Sequence, residues 1–328
     1  MKQSELLATL EPETAKIDAA MRADLAGIGS PPLLEILEHA IFNGGKRIRP
    51  ALTIFAASLS GAGTLPADTY RLAIAFEYLH AASLLHDDVI DHADQRRGNA
   101  SANALWGNST VILAGDYLHA RAFLLAGTTA GAQCLDLLGR ATAAMVEAEF
   151  LQMDTAREAN RAEDNYFAIL RGKTGALIAA AAEAGAVLAG ASARQRAAMR
   201  TYGGNLGLAF QLVDDLLDYL GDPRLTGKKV GNDLHEGRMT LPLLIALRQA
   251  EGEDRSFLEQ ILSLKSDDRA AQLERVRGAI ERNGGFSATR DQAAELIRTA
   301  TAELELFPPS PARQVLAALA AYVLARKK

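Results

Sequence analysis

Residues 67–92 read Ala-Asp-Thr-Tyr-Arg-Leu-Ala-Ile-Ala-Phe-Glu-Tyr-Leu-His-Ala-Ala-Ser-Leu-Leu-His-Asp-Asp-Val-Ile-Asp-His. Apolar side chains fill more than one face of a helix over 67–86, so this segment must be enclosed by other helices. Residues 176–190 have the same character. Two such helices call for an all-α layered bundle. Working outward, 61–66 is a Gly- and Pro-bearing break before a buried helix over 47–60, and Gly44-Gly45 breaks the segment before that. The polar stretch 93–107 reads as a loop. Helices are expected over 108–128, 132–156, 162–190 and 194–220, then a long polar break over 221–238. Three or four further helices should fill 240–327, hinged at Phe307-Pro308-Pro309-Ser310-Pro311. Nothing resembles an interdomain linker, so residues 1–328 are expected to form one domain.

The composition agrees. About 60 of the 328 residues are alanine and only 5% are aromatic, which favours helices over sheets. A hydrophobic content of 49% can fill a core, which excludes a disordered or collagen-like chain. With 35 basic against 40 acidic residues the net charge is -5, which argues against nucleic-acid binding. An anionic substrate would therefore need local cations or a metal. Cys134 stands alone, so neither an intrachain disulfide nor a cysteine zinc site is available. The opening residues are too acidic for a secretory leader. The stretch 176–190, interrupted by Glu183, falls short of the roughly 20 residues of a membrane span. A cytoplasmic protein without a transmembrane segment is expected.

The chemistry lies in an internal echo. Residues 84–91 end in Asp87-Asp88-Val89-Ile90-Asp91, and residues 210–218 end in Asp214-Asp215-Leu216-Leu217-Asp218. Four-residue spacing stacks Asp87 with Asp91, and Asp214 with Asp218, on one helix face, where like charges repel by a few tenths of a kcal/mol. A solvated acidic helix end explains one such cluster better than two with matching spacing and apolar flanks. Hard carboxylate oxygens suit magnesium, which shares its coordination with substrate phosphates. Cations accompany both clusters: Lys46, Arg47 and Arg49 at a helix start, where backbone N–H groups favour anions; Arg96 and Arg97; Lys173 with Thr174; Lys228 and Lys229; and Arg238. Arg47 could equally be a solvated cation and ranks below Lys46 and Arg49. Gly172-Lys173-Thr174 is no P-loop, because the required glycine is Phe167. Glu77-x-x-His80 lacks the second copy that a di-iron bundle needs.

These segments resemble the trans-prenyltransferase family, the polyprenyl diphosphate synthases. The likeness runs in family order through 44–50, 85–91, Arg96-Arg97-Gly98, 106–108, 115–118, 172–174, the second aspartate cluster and 233–242. It implies the isoprenoid synthase fold, a single-domain helical bundle around a central apolar cavity, and a cytoplasmic homodimer. It further implies that Lys46, Arg49, His80 and Arg97 bind isopentenyl diphosphate, while Arg96, Lys173, Thr174, Gln211 and Lys228 contact an allylic diphosphate. Asp87, Asp91 and Asp214 become the primary ligands of three Mg2+ ions, with Asp88, Asp215 and Asp218 supporting. Arg238 stands where farnesyl-type members usually carry lysine. The implied reaction ionises the allylic diphosphate, joins the cation to isopentenyl diphosphate and loses a proton, with water excluded.

Product length should be set beside the first cluster by Tyr78, Leu79, Ala82 and Ser83. Short-chain members place bulky aromatics just before the aspartates. Ala82 and Ser83 are small, and the first cluster lacks the two-residue insertion of bacterial farnesyl-type enzymes. Both features resemble octaprenyl-type enzymes, whereas Tyr78 could stop growth at geranylgeranyl length. Farnesyl synthesis, a class I terpene cyclase, a non-catalytic partner subunit and a metal-storage bundle are the other readings. Lys46, Arg49 and Arg97 speak against the cyclase, and two intact clusters speak against the inactive subunit.

Overall fold

The computed structural model describes residues 3–61, 63–96, 98–158, 161–221 and 230–326. Nearly everything in them is helical. The order is α1 Gln3–Leu25, α2 Pro31–Phe42, α3 Ile48–Ser60, α4 Thr69–Ile90, α5 Ala102–Trp106, α6 Asn108–Glu158, α7 Glu163–Leu170, α8 Ala176–Leu188 and α9 Ala193–Leu220. Shorter helices follow at Asn232–Glu236, Leu241–Gln249, Gly252–Ser263, Ser266–Ala270 and Leu273–Arg282, then Gly285–Glu303 and Pro311–Ala325. The C-terminal part is thus cut into more pieces than its hydrophobic pattern suggests.

Two local departures matter for the site. The expected loop over 93–107 holds a two-stranded hairpin, β1 Gln95–Arg96 against β2 Asn99–Ala100, followed by the single turn of α5. The expected helix over 162–190 is interrupted by a π turn at Arg171–Gly175. By contrast, the break expected between 128 and 132 is present. Gly131 leaves helical geometry (φ 69°, ψ -160°) inside α6.

The chain divides into two compact units. The first comprises Met1–Thr142, Leu177–Gly203 and Glu303–Leu319. Its centre is α4, whose residues 72–79 are all buried. Alanine and glycine let helices approach closely here. Thr53 of α3 donates to the carbonyl of Ala181 in α8 (2.9 Å), and a Cβ on Gly185 would lie 2.2 Å from the Thr53 carbonyl oxygen. Arg47 corrects the reading of it as a solvated cation: its side chain is only 5% exposed. It donates from Nε to Asp18 (2.8 Å) and from Nη1 to Glu77 (3.0 Å), with its backbone in the left-handed region (φ 50°).

The second unit comprises Ala143–Ala176, Gly204–Ala302 and Ala320–Lys328. Its core gathers Leu216 and Tyr219 of α9 with Leu234, Leu243, Leu258, Ile280 and Phe286. This core fixes the end of α9 and therefore the second aspartate cluster. One further difference concerns hydropathy. The run long and apolar enough to cross a membrane, by length and composition only, is Asn108–Thr155 rather than 176–190.

Candidate active site

Within the first unit, α4 carries the first aspartate cluster to its C-terminal end, where Asp91 donates its N–H to the carbonyl of Asp87 (2.8 Å). The three carboxylates have different surroundings. Asp88 is 3% exposed, and both its oxygens accept from Nε of Arg96 (2.8 Å each), with a further ion-pair contact of 2.6 Å. Asp87 is half-buried and Asp91 exposed. Arg96 sits on the hairpin, which is tied to α2: Asn99 donates to Asn43 (2.6 Å), and His39 bonds the carbonyl of Ala100 (3.1 Å). A small pocket opens here, lined by His39, Asn43, Leu84, Asp88 and Arg96 among others. Lys46 is exposed, and Arg49 and His80 are half-buried. Arg97, expected beside them, lies outside the described residues.

Upstream on α4, Leu79 and Ala82 are fully buried, and Ser83 donates to the carbonyl of His80 (2.8 Å). Tyr78 is completely enclosed and donates its hydroxyl to the carbonyl of Met21 in α1 (3.3 Å). Burial first, then the nearby Asp24 carboxylate, pushes this phenol far above its ordinary value. Asp24 itself pairs with Arg121 at 2.5 Å.

Within the second unit the cluster on α9 is built differently. Asp215 is 4% exposed, and among the described residues its bonds come from neutral donors. It accepts from the Tyr166 hydroxyl (2.5 Å) and the Gln211 amide (3.0 Å), and Thr174 donates to the Gln211 carbonyl oxygen (3.4 Å). Burial, and next the neighbouring Asp233, push its carboxyl up to about 8. Asp233 rises to about 7, again chiefly through burial, with Asp218 adding to it. Asp218 accepts the backbone N–H groups of Asn232 (3.1 Å) and Asp233 (3.0 Å), which fastens the segment 231–233 to α9. Asp214 is the open member, 44% exposed, and pairs with Arg326 at 3.2 Å. Lys173 stands on the π turn between Glu149 (2.6 Å) and Gln152 (3.1 Å). The turn can approach α6 because Gly172 lacks a side chain; a Cβ there would lie 2.4 Å from that of Ala148. Single π turns of this kind gather at functional sites. Arg238 is exposed and paired with Glu236 (2.6 Å) and Asp233 (3.5 Å). Lys228 and Lys229 lie outside the described residues.

Residue patterning misses Tyr166, Gln152, Glu149 and Arg326. Each reaches its partner from a distant part of the chain, and no local motif announces it. The arrangement leaves Asp87, Asp91 and Asp214 as the more open carboxylates of their clusters, with cations on neighbouring elements. A helical protein with two such motifs is a diphosphate-handling metal enzyme in outline. Comparison with known proteins makes that specific. The Polyprenyl synthetase family model matches residues 30–280, and the chain belongs to that family. It is therefore a prenyltransferase of isoprenoid biosynthesis. It is 34% identical over 323 residues to the octaprenyl diphosphate synthase of Escherichia coli K12, covering 95% of this chain and 99% of the relative. Among solved structures, a decaprenyl diphosphate synthase from Rhodobacter capsulatus superimposes with a TM-score of 0.89 at 38% identity, over all of both chains. A polyprenyl synthase from Caulobacter crescentus CB15, complexed with calcium and isoprenyl diphosphate, gives 0.88 at 38% identity, covering 99% of this chain and 98% of that one.

Proposed function

We propose that this prenyltransferase adds isopentenyl diphosphate units to an allylic diphosphate and releases a long all-trans polyprenyl diphosphate of octaprenyl type. The observation that carries the reading is the near end-to-end similarity to octaprenyl and decaprenyl synthases, with both aspartate clusters retained. The match over 30–280 draws on segments of both compact units, which supports treating residues 1–328 as one synthase domain.

The donor set fits Mg2+. Asp87, Asp91 and Asp214 offer hard carboxylate oxygens in accessible positions, and the related Caulobacter enzyme takes calcium. Three ions are expected with diphosphate bound, where they supply positive charge against the departing diphosphate. Asp88, Asp215 and Asp218 act by support, since their oxygens are already engaged by Arg96, by Tyr166 with Gln211, and by the 232–233 backbone. Lys46, Arg49, His80 and Arg97 bind isopentenyl diphosphate. Arg96, Lys173, Thr174, Gln211 and Lys228 orient the allylic diphosphate, with Arg238 at the rim. Fixing both substrates within bonding distance makes carbon–carbon bond formation effectively unimolecular. The buried apolar stretch of α4 keeps water from the allylic cation. No protein nucleophile is required.

Ala82 and Ser83 are small residues on α4 one turn after Tyr78, which supports a long product. Tyr78, pinned to Met21, favours a second reading in which growth stops at geranylgeranyl length. Exposed Ile112, Leu113 and Leu124 on the first half of α6 support a homodimer. That half also carries Arg121, paired with Asp24 of α1, which supports a chain without a transmembrane segment; a cytoplasmic location goes with that reading. The test is incubation with Mg2+, isopentenyl diphosphate and a short allylic diphosphate, followed by product sizing. Octaprenyl-length product is expected; a product no longer than geranylgeranyl selects the second reading, and no condensation at all overturns the assignment.

A further inference from the structure

His86 precedes Asp87 by one residue and has no part in the reading above. Its Nε2 edge meets α6 at a place only glycine can provide: a Cβ on Gly115 would stand 2.2 Å from Nε2 of His86. That seat brings the imidazole to two further polar side chains one helical turn apart. Asp116 Oδ1 is 3.6 Å from His86 Nε2, and the His119 ring centroid is 5.4 Å from that of His86. One donor atom from each of the three falls within 4.8 Å of the others.

The chemistry of this set differs from that of the aspartate clusters. Two imidazoles and one carboxylate are the ligands of borderline divalent cations, whereas Mg2+ takes oxygen alone. Zinc–ligand lengths of about 2.0–2.2 Å need donors roughly an ångström closer together than 4.8 Å. Asp116 is 63% exposed, and its Oδ1 already lies 3.6 Å from Nε2 of His86, near the donor spacing of such a site. Burial, together with the neighbouring His86 ring, lowers the pKa of His119, which keeps it in the neutral form that can ligate. Nε2 of His86 also lies 3.1 Å from the carbonyl oxygen of Ile112. As a donor to that oxygen the neutral ring carries its proton on Nε2; ligation through the same nitrogen requires the other tautomer, with the proton on Nδ1.

We propose that His86, Asp116 and His119 form a binding site for a borderline divalent cation of the zinc class, separate from the magnesium-binding aspartates. Three protein ligands leave a fourth position for water.

The test uses the full-length purified enzyme with magnesium in excess, so that the aspartate clusters are saturated. Cobalt(II) serves as the spectroscopic probe and zinc as its competitor. The wild type should take up a single equivalent of cobalt with the intense visible absorption of a four- or five-coordinate site, and zinc should displace it. His119→Ala should lose that absorption and weaken zinc binding by more than the roughly 10–100-fold typical of removing an outer partner of a ligand. Its prenyl transfer with magnesium should match the wild type. Asp116→Asn, at an exposed position, provides a second variant should His119→Ala fold poorly. The proposal is overturned if the variant binds cobalt and zinc as tightly as the wild type, or if the wild type shows only weak six-coordinate absorption that magnesium removes. Absence of prenyl transfer in the wild type would count against the proposed function and leave this site unaffected.

Discussion

The two aspartate clusters share one sequence pattern, yet their middle members are held by opposite means. Asp88 is clamped by the guanidinium of Arg96, an ion pair brought in by the hairpin after α4. Asp215 is held by two neutral donors, Tyr166 and Gln211, in a site so enclosed that its carboxyl rises to about 8. A buried carboxylate keeps its charge only when a cation or enough donors compensate its lost hydration. The same Asp-Asp-x-x-Asp therefore gives an ion-paired anchor in one place and, in the other, an anchor held by neutral donors whose carboxyl burial pushes upward.

The most severe way to test the functional half of this comparison is at the π turn. Lys173→Ala should reduce turnover by about 10²–10³-fold, the usual result of removing one donor to a developing anion. Near-normal steady-state rates would sink the role given to Lys173. Stability separates the two anchors themselves. Asp88→Asn strands the Arg96 charge and should cost on the order of 2–3 kcal/mol in denaturant unfolding, below the full range for a buried pair because Arg96 is one-third exposed. Asp215→Asn replaces a carboxyl already protonated at neutral pH in the metal-free protein, so its cost there should be much smaller. Equal losses in the two variants would erase the distinction.

The same contrast predicts a pH dependence. The folded-state pKa of Asp215 lies above its ordinary value of 3.8, so the stability it contributes is complete at acid pH and declines as pH rises toward about 8. Thermal melts of the metal-free wild type should therefore fall across that window, and Asp215→Asn should flatten the slope. A smaller change concerns the wall above Tyr78. Ala82→Phe should shorten the product while leaving total condensation measurable, and an unchanged product distribution on chromatography would remove Ala82 from the length-setting group. The smallest effect is expected at Cys134, whose burial pushes the thiol up to about 12. It should resist alkylation at mildly alkaline pH until the chain is unfolded.

Much of the fold is legible in the sequence, for reasons that are local. Alanine-rich helices without a polar face demand enclosure, and Gly131 breaks α6 where its pattern lapses. The C-terminal third was less legible, because several short helices share one hydrophobic periodicity and their ends depend on packing around Phe286 and Leu258. The π turn at Arg171–Gly175 had no signature either, since its glycines serve a close approach to α6 that only the packed chain creates. Arg47 shows the limit most plainly. Three cations in four residues look alike in the sequence, but Asp18 and Glu77, 29 and 30 positions away, draw one of them inside.

The sequence alone therefore determined the helical class, the two carboxylate pairs and the family, because spacing along a helix fixes which side chains share a face and because the motifs are specific. Tertiary structure decided what each carboxylate is for. Whether an aspartate is charged or protonated, open to a metal or spent on a hydrogen bond, depends on burial and on partners far along the chain. Those are properties of packing, and composition or periodicity does not contain them.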